Sequence, residues 1–443
     1  MKKALFAAFA VVCAVVSAHA QPARLADRDI IDAYEYMLGR LLVLRQEAAD
    51  LKEGFKWNEI VHREPGGVAW ANPNLDVAYS EAWIALDENS CTLVELPEIK
   101  NRYYTFQVLN GWGEVTANIN ERNYPKHAFG KFMLCIKPAK ITLPKGVVRI
   151  NLPSRKSRAL FRIELGANPA EALALQKRVT LKATGTPTIA KAVVEPDFPN
   201  SRLSGVEAFD KADEVIESED DINIGMVGVQ ETASAVEAAI ANPKERARID
   251  DLIRKRAIPN FLTEVQKLGK PVNGWSRPPL TGNYRSDYLT RSIANYAGIW
   301  ANTSREVVYF LGANLDGTQT YTQTYPSDAL PATKARYFWS VVAVDNTDFK
   351  VIPNSQDRHI FNKQSQLQLN DDGSLTLVFA PKLPPDIPES NWMPTPQGKR
   401  YNLTYRFYGP SKDIVGATYY PPALVLVKPD TPPSRLRQLL RRN

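Results

Sequence analysis

Between residues 25 and 52 apolar side chains recur every three or four positions, at Ile30, Ile31, Tyr34, Met37, Leu38, Leu41 and Leu42. That period predicts one long helix with Gly54 as its stop, its apolar stripe turned toward the sheet that follows. From residue 68 to about 165 the period drops to two. Strands are expected at 76–86, 92–96, 103–109, 132–137, 147–151 and 160–165, with turn formers such as Asp87-Glu-Asn-Ser90 and Asn110-Gly-Trp-Gly113 between them. Six or seven short strands in about a hundred residues suit a sandwich of immunoglobulin-like size. Helical spacing returns at 168, where Asn168 and Pro169 form a helix start, and continues at 230–241, 243–268 and 288–300. Residues 201–221 are polar and acidic and read as a surface loop. Beyond 305 the pattern is β again, with strands expected at 306–312, 319–325, 337–344, 367–369, 375–380 and 399–407.

One stretch stands out within this pattern. Asn72, Asn74 and Asp76 put short polar side chains at every second position, with Pro73 stiffening the path. The chain then enters a strand with Tyr79 and Trp83 on one parity and Ala78, Ser80 and Ala82 on the other. Two readings stay open: an Asx-turn that caps a strand, or a hydrogen-bonding cluster for a hydroxylated ligand, with Trp70 and Trp83 as nearby aromatic platforms.

Composition narrows the setting. A chain of 443 residues with 44% apolar content is long enough for two or three packed domains. Lys2 and Lys3, an apolar run from Ala4 to Val16, and Ala18-His-Ala20 read as a secretory signal cleaved before Gln21. The expected location is therefore periplasmic or secreted, without a transmembrane segment. Loss of residues 1–20 removes two Lys and no acid, so the formal charge falls from +7 to +5. The basic face around Lys244–Arg256 interleaves with acids and reads as solvated, and an exported protein gives no reason to invoke nucleic acid. The tail 429–443 carries Arg435, Arg437, Arg441 and Arg442 and is either a basic helix or a frayed end.

Cysteine and histidine limit the chemistry. Cys91 and Cys135 are the only thiols after residue 20, and they are read either as a disulfide or as two buried thiols. His62, His127 and His359 never fall at helical-turn spacing, so no zinc motif is present and no metal or other cofactor is expected. The sequence has no Gly-x-Ser-x-Gly elbow and no phosphate loop.

Two sets of motifs carry a family resemblance. Asn74-x-Asp76-x-x-Tyr79-Ser80, Ala82-Trp83 and Arg102-Tyr-Tyr104 resemble the family called domain of unknown function 1254. Phe338-Trp-Ser340, Asp345, Asn354, Arg358, Asp372-Gly-Ser374, Asn391-Trp392-x-Pro394, Arg406-x-Tyr408-x-Pro410 and Pro421-Pro422 resemble its usual companion, domain of unknown function 1214. The resemblance implies a mainly β protein: an immunoglobulin-like β-sandwich, a helical middle and a jelly-roll-like β-sandwich. The division expected on both grounds is a lead-in at 21–66, a sandwich at 67–166, a helical region with an acidic loop at 167–303 and a second sandwich at 304–428. No catalytic residue comes with the resemblance.

The candidate ligand-binding residues are therefore chosen on chemistry: Asn72, Asn74, Asp76, Tyr79, Trp83, Asp345, Arg358, His359, Trp392 and Arg406. Arg358 and Arg406 suit a carboxylate or phosphate, or else pair with Asp345 or Asp357. His359 is the candidate general base. The first functional expectation is an exported protein that binds a small molecule or glycan, or joins an envelope assembly. The alternative is a hydrolase using Asp76 or the Asp345/His359 region, with Ser80, Ser340, Glu81 and Glu114 as further reacting groups. Exposed sheet faces and edges lead us to expect a homo-oligomer.

Overall fold

The computed structural model describes residues 24–66, 71–194 and 196–427. The signal segment, Trp70 and the basic tail lie outside them. No helix among the described residues is long and apolar enough to cross a membrane.

The first helix, Asp27–Glu53, ends where Gly54 adopts φ 116° and returns its N–H to the carbonyls of Asp50 and Leu51. It is not a surface helix with one apolar stripe. Ile30 to Leu44 are buried almost without a break, and the helix is the axis of the helical core. Against it packs the helix Tyr288–Gly298, at very close range. A Cβ added at Gly39 would stand 2.5 Å from Ser292 Oγ, so only glycine permits the approach. Ser292 Oγ uses that proximity to donate to the Glu35 carbonyl at 2.6 Å.

The stretch 201–221 is a correction to the sequence reading. It contains a 3-10 turn at Val206–Phe209 and a helix at Ala212–Glu217. Val206, Phe209, Ala212 and Val215 repeat every three residues and are buried in the helical core. The acids between them sit on the outer face and give the segment its polar composition.

Two β-sandwiches flank the helices. In the first, one sheet has the order Val61–His62, Val77–Ala85, Lys156–Glu164, Tyr104–Leu109, Val115–Ile119. The facing sheet runs Val147–Leu152, Gly130–Ile136, Thr92–Leu96, Thr180–Ala183. One parity of each strand fills the shared core: Ala78, Ala82, Ile84, Phe106 and Phe161 meet Val94, Leu96, Phe132 and Leu134. Thr92 pairs with Leu134, which sets Cys91 opposite Cys135, and the two are joined in a disulfide.

The second sandwich follows the same plan. Its inner sheet runs Val307–Asp316, Arg400–Pro410, Ala335–Asp345, Ile360–Asn362, and its partner runs Trp392–Pro394, Leu375–Ala380, Thr320–Tyr325, Val425–Val427. Phe310, Trp339, Val341, Tyr405 and Phe407 pack on Leu375, Leu377 and Phe379. Residues 367–369, expected as a strand, are irregular, and the edge strand falls at 360–362 instead.

In each sandwich the sheet nearer the helices has a second, outward face. These two outward faces are turned toward each other and toward the end of the first helix, and the space left there holds the site.

Candidate functional site

The strand residues of odd parity build the first wall. Along the register Tyr79 pairs with Arg162, Glu81 with Leu160 and Trp83 with Arg158, all on the face away from the sandwich core. The second wall comes from the C-terminal sheet, where Tyr309, Arg406, Ser340 and Asn362 form one cross-strand row. Thr404 and Tyr408 lie two residues to either side of Arg406 on the same face. The last turns of the first helix contribute Arg45, Gln46, Asp50 and Glu53, and the chain from Ala294 to Ala301 closes another side. Together they enclose a cavity of about 440 Å³, a size within the range of small-molecule sites.

The Asn72–Asp76 segment is the strap between the two walls. Thr404 Oγ1 donates to Asn72 Oδ1 at 2.8 Å, and Arg406 Nη2 donates to the Asn72 carbonyl at 2.5 Å. Asn74 Nδ2 donates to the Tyr408 hydroxyl at 2.8 Å, and Asn362 Nδ2 to Asp76 Oδ1 at 2.7 Å. The alternation legible in the sequence is therefore a docking pattern. Every second side chain of the strap meets a residue on the outward face of the C-terminal sheet. Asn72 holds φ 44°, the left-handed region that Asn tolerates better than most residues. Asp76 is 6% exposed. Burial, opposed by Ser340, Asn362 and the charge of Arg406, raises its carboxyl to about 6.

Charge in the cavity is unevenly distributed. Toward the first helix the ions are matched. Arg158 lies 2.9 Å from Glu81 and 3.3 Å from Asp50, and Arg63 binds Glu81 at 3.0 Å and also pairs with Glu53. Toward the strap they are not. Arg162 donates to the Gln107 amide oxygen and to the Trp300 carbonyl at 2.9 Å, and Arg406 to the Asn72 carbonyl. Among the described residues neither forms an ion pair with a carboxylate, although they are 6% and 3% exposed. Among the described residues Arg406 Nη1 and Arg162 Nε have no hydrogen-bond partner, as is also true of Nε and Nη1 of Arg158. Tyr79 lies under the Arg162 guanidinium at 5.4 Å. Tyr309 and Tyr408 accept hydrogen bonds from Asn302 and Asn74 and keep their own protons to donate. Burial raises the phenols of Tyr79 and Tyr408, so both stay protonated at neutral pH. This end of the cavity therefore offers hydrogen-bond donors and positive charge.

The residues singled out in the sequence divide into two groups. Asn72, Asn74, Tyr79 and Arg406 line the cavity, and Asp76 anchors the strap beside it. Trp83 stands behind the wall, its indole N–H on Asp50 at 2.9 Å and its ring edge-on to Trp300 at 5.9 Å. Asp345, Arg358, His359 and Trp392 do not line it. Asp345 closes its own turn by accepting from Thr347 N. Arg358 pairs with Glu389 at 3.4 Å and donates to the Trp392 carbonyl. His359 is held by Asp357 and the Ile352 carbonyl, and the Trp392 indole donates to Ala380. Ser80 meets His62 at 2.8 Å rather than His359, and it is 1% exposed on the parity that fills the sandwich core. Among the described residues no group of three His, Cys, Asp or Glu side chains could hold a metal ion.

Arg158 and Arg162 are among the cavity residues that sequence reasoning missed. Their signal was two arginines four apart, on one parity of an apolar strand in Arg158-Ala-Leu-Phe-Arg162. The expected strand began at Leu160 and cut the first of them off.

Comparison with known proteins agrees with the two-part architecture. Residues 57–183 match the family described as Protein of unknown function (DUF1254), and residues 310–412 the family described as Protein of unknown function (DUF1214). No curated protein matches the chain. Among solved structures, the VPA0106 protein from Vibrio parahaemolyticus shares the fold, with a TM-score of 0.56 at 16% identity over 91% of this chain and 100% of that one. An uncharacterized protein from Burkholderia cenocepacia gives a TM-score of 0.46 at 12% identity over 90% and 95% of the two chains.

Proposed function

We propose that this chain, which carries a DUF1254 and a DUF1214 domain, is an exported protein that binds a small organic anion in the cavity between its two sandwiches. One observation carries the reading: Arg162 and Arg406 are buried, line one cavity with Tyr79, Tyr309 and Tyr408, and form no ion pair with a carboxylate among the described residues. A buried guanidinium without a counter-charge costs several kcal/mol, and an anionic ligand removes that cost. Arginine suits carboxylate and phosphate because its planar fork presents two parallel N–H groups. Aromatic walls at Tyr79, Trp300, Tyr309 and Phe349 favour an apolar, preferably ring-bearing body behind the anionic group. Export rests on the N-terminal segment and on the Cys91–Cys135 disulfide, which persists in an oxidising compartment.

Calorimetric titration of the purified protein with sodium benzoate and with phenyl phosphate tests the proposal. The expected Kd is below about 1 mM for at least one of them, weakened at least about tenfold in Arg406→Met. Absence of binding to the wild type, or equal binding by the variant, overturns it.

A further inference from the structure

The cavity has a second polar end, and its arrangement specifies more than an anion. Successive rungs on the outward face of the N-terminal sheet carry Tyr79 with Arg162, then Glu81 with Leu160. Rungs two residues apart lie about 7 Å from each other along the strand. Glu81 Oε2 takes the bonds from Arg63 at 3.0 Å and Arg158 at 2.9 Å. Among the described residues no donor reaches its other oxygen, Oε1. Glu81 lines the cavity and is 7% exposed, so its carboxylate faces a cavity ligand rather than bulk solvent. Leu160, on the same rung, supplies apolar contact between the two polar ends.

Exposure sets the direction of entry. Arg406 and Arg162 are almost fully buried, whereas Glu53, which pairs with Arg63 beyond Glu81, is half exposed. The anionic group therefore goes in first and the far end of the ligand comes to rest at Glu81.

We infer that the ligand is bifunctional: a monoanion whose charged group is held by Arg162 and Arg406, with a hydroxyl or amino donor about 7 Å away that hydrogen-bonds to Glu81. This rests on the anion-binding reading and adds the second group and its spacing. The same carboxylate acts against the wrong ligand, because a second anionic group of matching length would meet Glu81 in a partly desolvated space. Hydrogen bonds to an ionised acceptor are stronger than neutral ones, and a site built to receive a donor penalises an analogue that cannot supply it.

Four compounds separate the possibilities by calorimetry: benzoate, 4-hydroxybenzoate, 4-methoxybenzoate and terephthalate. The wild type is expected to bind 4-hydroxybenzoate at least about tenfold more tightly than 4-methoxybenzoate or terephthalate. In Glu81→Gln the discrimination against terephthalate is expected to shrink to within about threefold, since the repelling charge is gone. Equal binding of the hydroxy and methoxy compounds by the wild type overturns the inference, as does undiminished rejection of terephthalate by the variant. If Glu81→Gln does not fold, the wild-type series decides alone. Binding of benzoate without any selectivity refutes the second group and leaves the anion site standing, whereas no binding by any of the four compounds refutes both.

Discussion

Arg406 gives one terminal nitrogen to the carbonyl of Asn72, 2.5 Å away, and its other terminal nitrogen is buried with no hydrogen-bond partner among the described residues. The residue thus couples the strap of the N-terminal half to the C-terminal sheet and still holds donor capacity and charge in reserve.

The first prediction follows from that imbalance. Arg406→Met keeps most of the side-chain volume and removes a buried charge that forms no ion pair among the described residues. Without ligand the variant is expected to melt no more than about 2 °C below the wild type, or above it, because the lost bond to Asn72 is offset by the relieved desolvation. The opposite result, a collapse in stability with unchanged anion affinity, would make Arg406 a structural residue. Differential scanning calorimetry with and without benzoate reads both quantities.

Glu306 shows the contrasting case of a buried charge fully employed. It is 1% exposed and accepts from Asn120 and Asn123, from the Tyr103 hydroxyl and from Arg122, whose Nη2 is 2.6 Å away. These donors belong to the first sandwich, so Glu306 latches the two halves together. Glu306→Gln is expected to cost about 1–3 kcal/mol, because Arg122 loses its buried carboxylate and keeps only the partly exposed Glu121. The double variant Arg122→Met/Glu306→Gln is expected to recover a large part of this. Urea unfolding of these two variants and of Arg122→Met alone checks the sign of the coupling.

The Cys91–Cys135 disulfide closes a loop across a sequence separation of 44. In the chain-entropy account this constraint contributes about 4 kcal/mol. Cys91→Ser/Cys135→Ser, or reduction before unfolding, is expected to lower the midpoint of urea denaturation accordingly. An unchanged midpoint under reducing conditions would show that the bond contributes nothing.

Some of this architecture was legible in the sequence, for reasons particular residues make plain. The parity of the strand at 77–85 was readable because Ala78, Ser80 and Ala82 must fit a packed core, whereas Tyr79 and Trp83 need space. The long helix was readable from its spacing, but its burial on all sides was not, because the elements that cover it come some 170 to 260 residues later. The same distance hides the site. Nothing near Asn72 announces that Thr404 and Arg406 will meet it, and nothing near Asn74 announces Tyr408. Arg358, His359 and Trp392 misled for the converse reason. Residue type marked them as chemically capable, and only the fold shows that Glu389, Asp357 and Ala380 already occupy them.

Asp76 yields a prediction in pH. Its carboxyl is raised by burial to about 6, well above the ordinary value for aspartate. The folded protein therefore binds a proton between pH 4 and 6 that the unfolded chain has released. Stability falls where the native state binds more protons than the unfolded state, so the contribution of Asp76 declines as pH rises through this window and is constant above it. The full difference amounts to roughly 1–3 kcal/mol. Asp76→Asn keeps an acceptor for Asn362 Nδ2 and carries no charge. It is expected to melt several degrees above the wild type at pH 7.5, with the advantage vanishing near pH 4. An advantage that grew toward acid would mean that the ionised carboxylate is the form the fold prefers, held there by Arg406. Melting curves of both proteins across pH 4 to 8 at constant ionic strength distinguish the two outcomes.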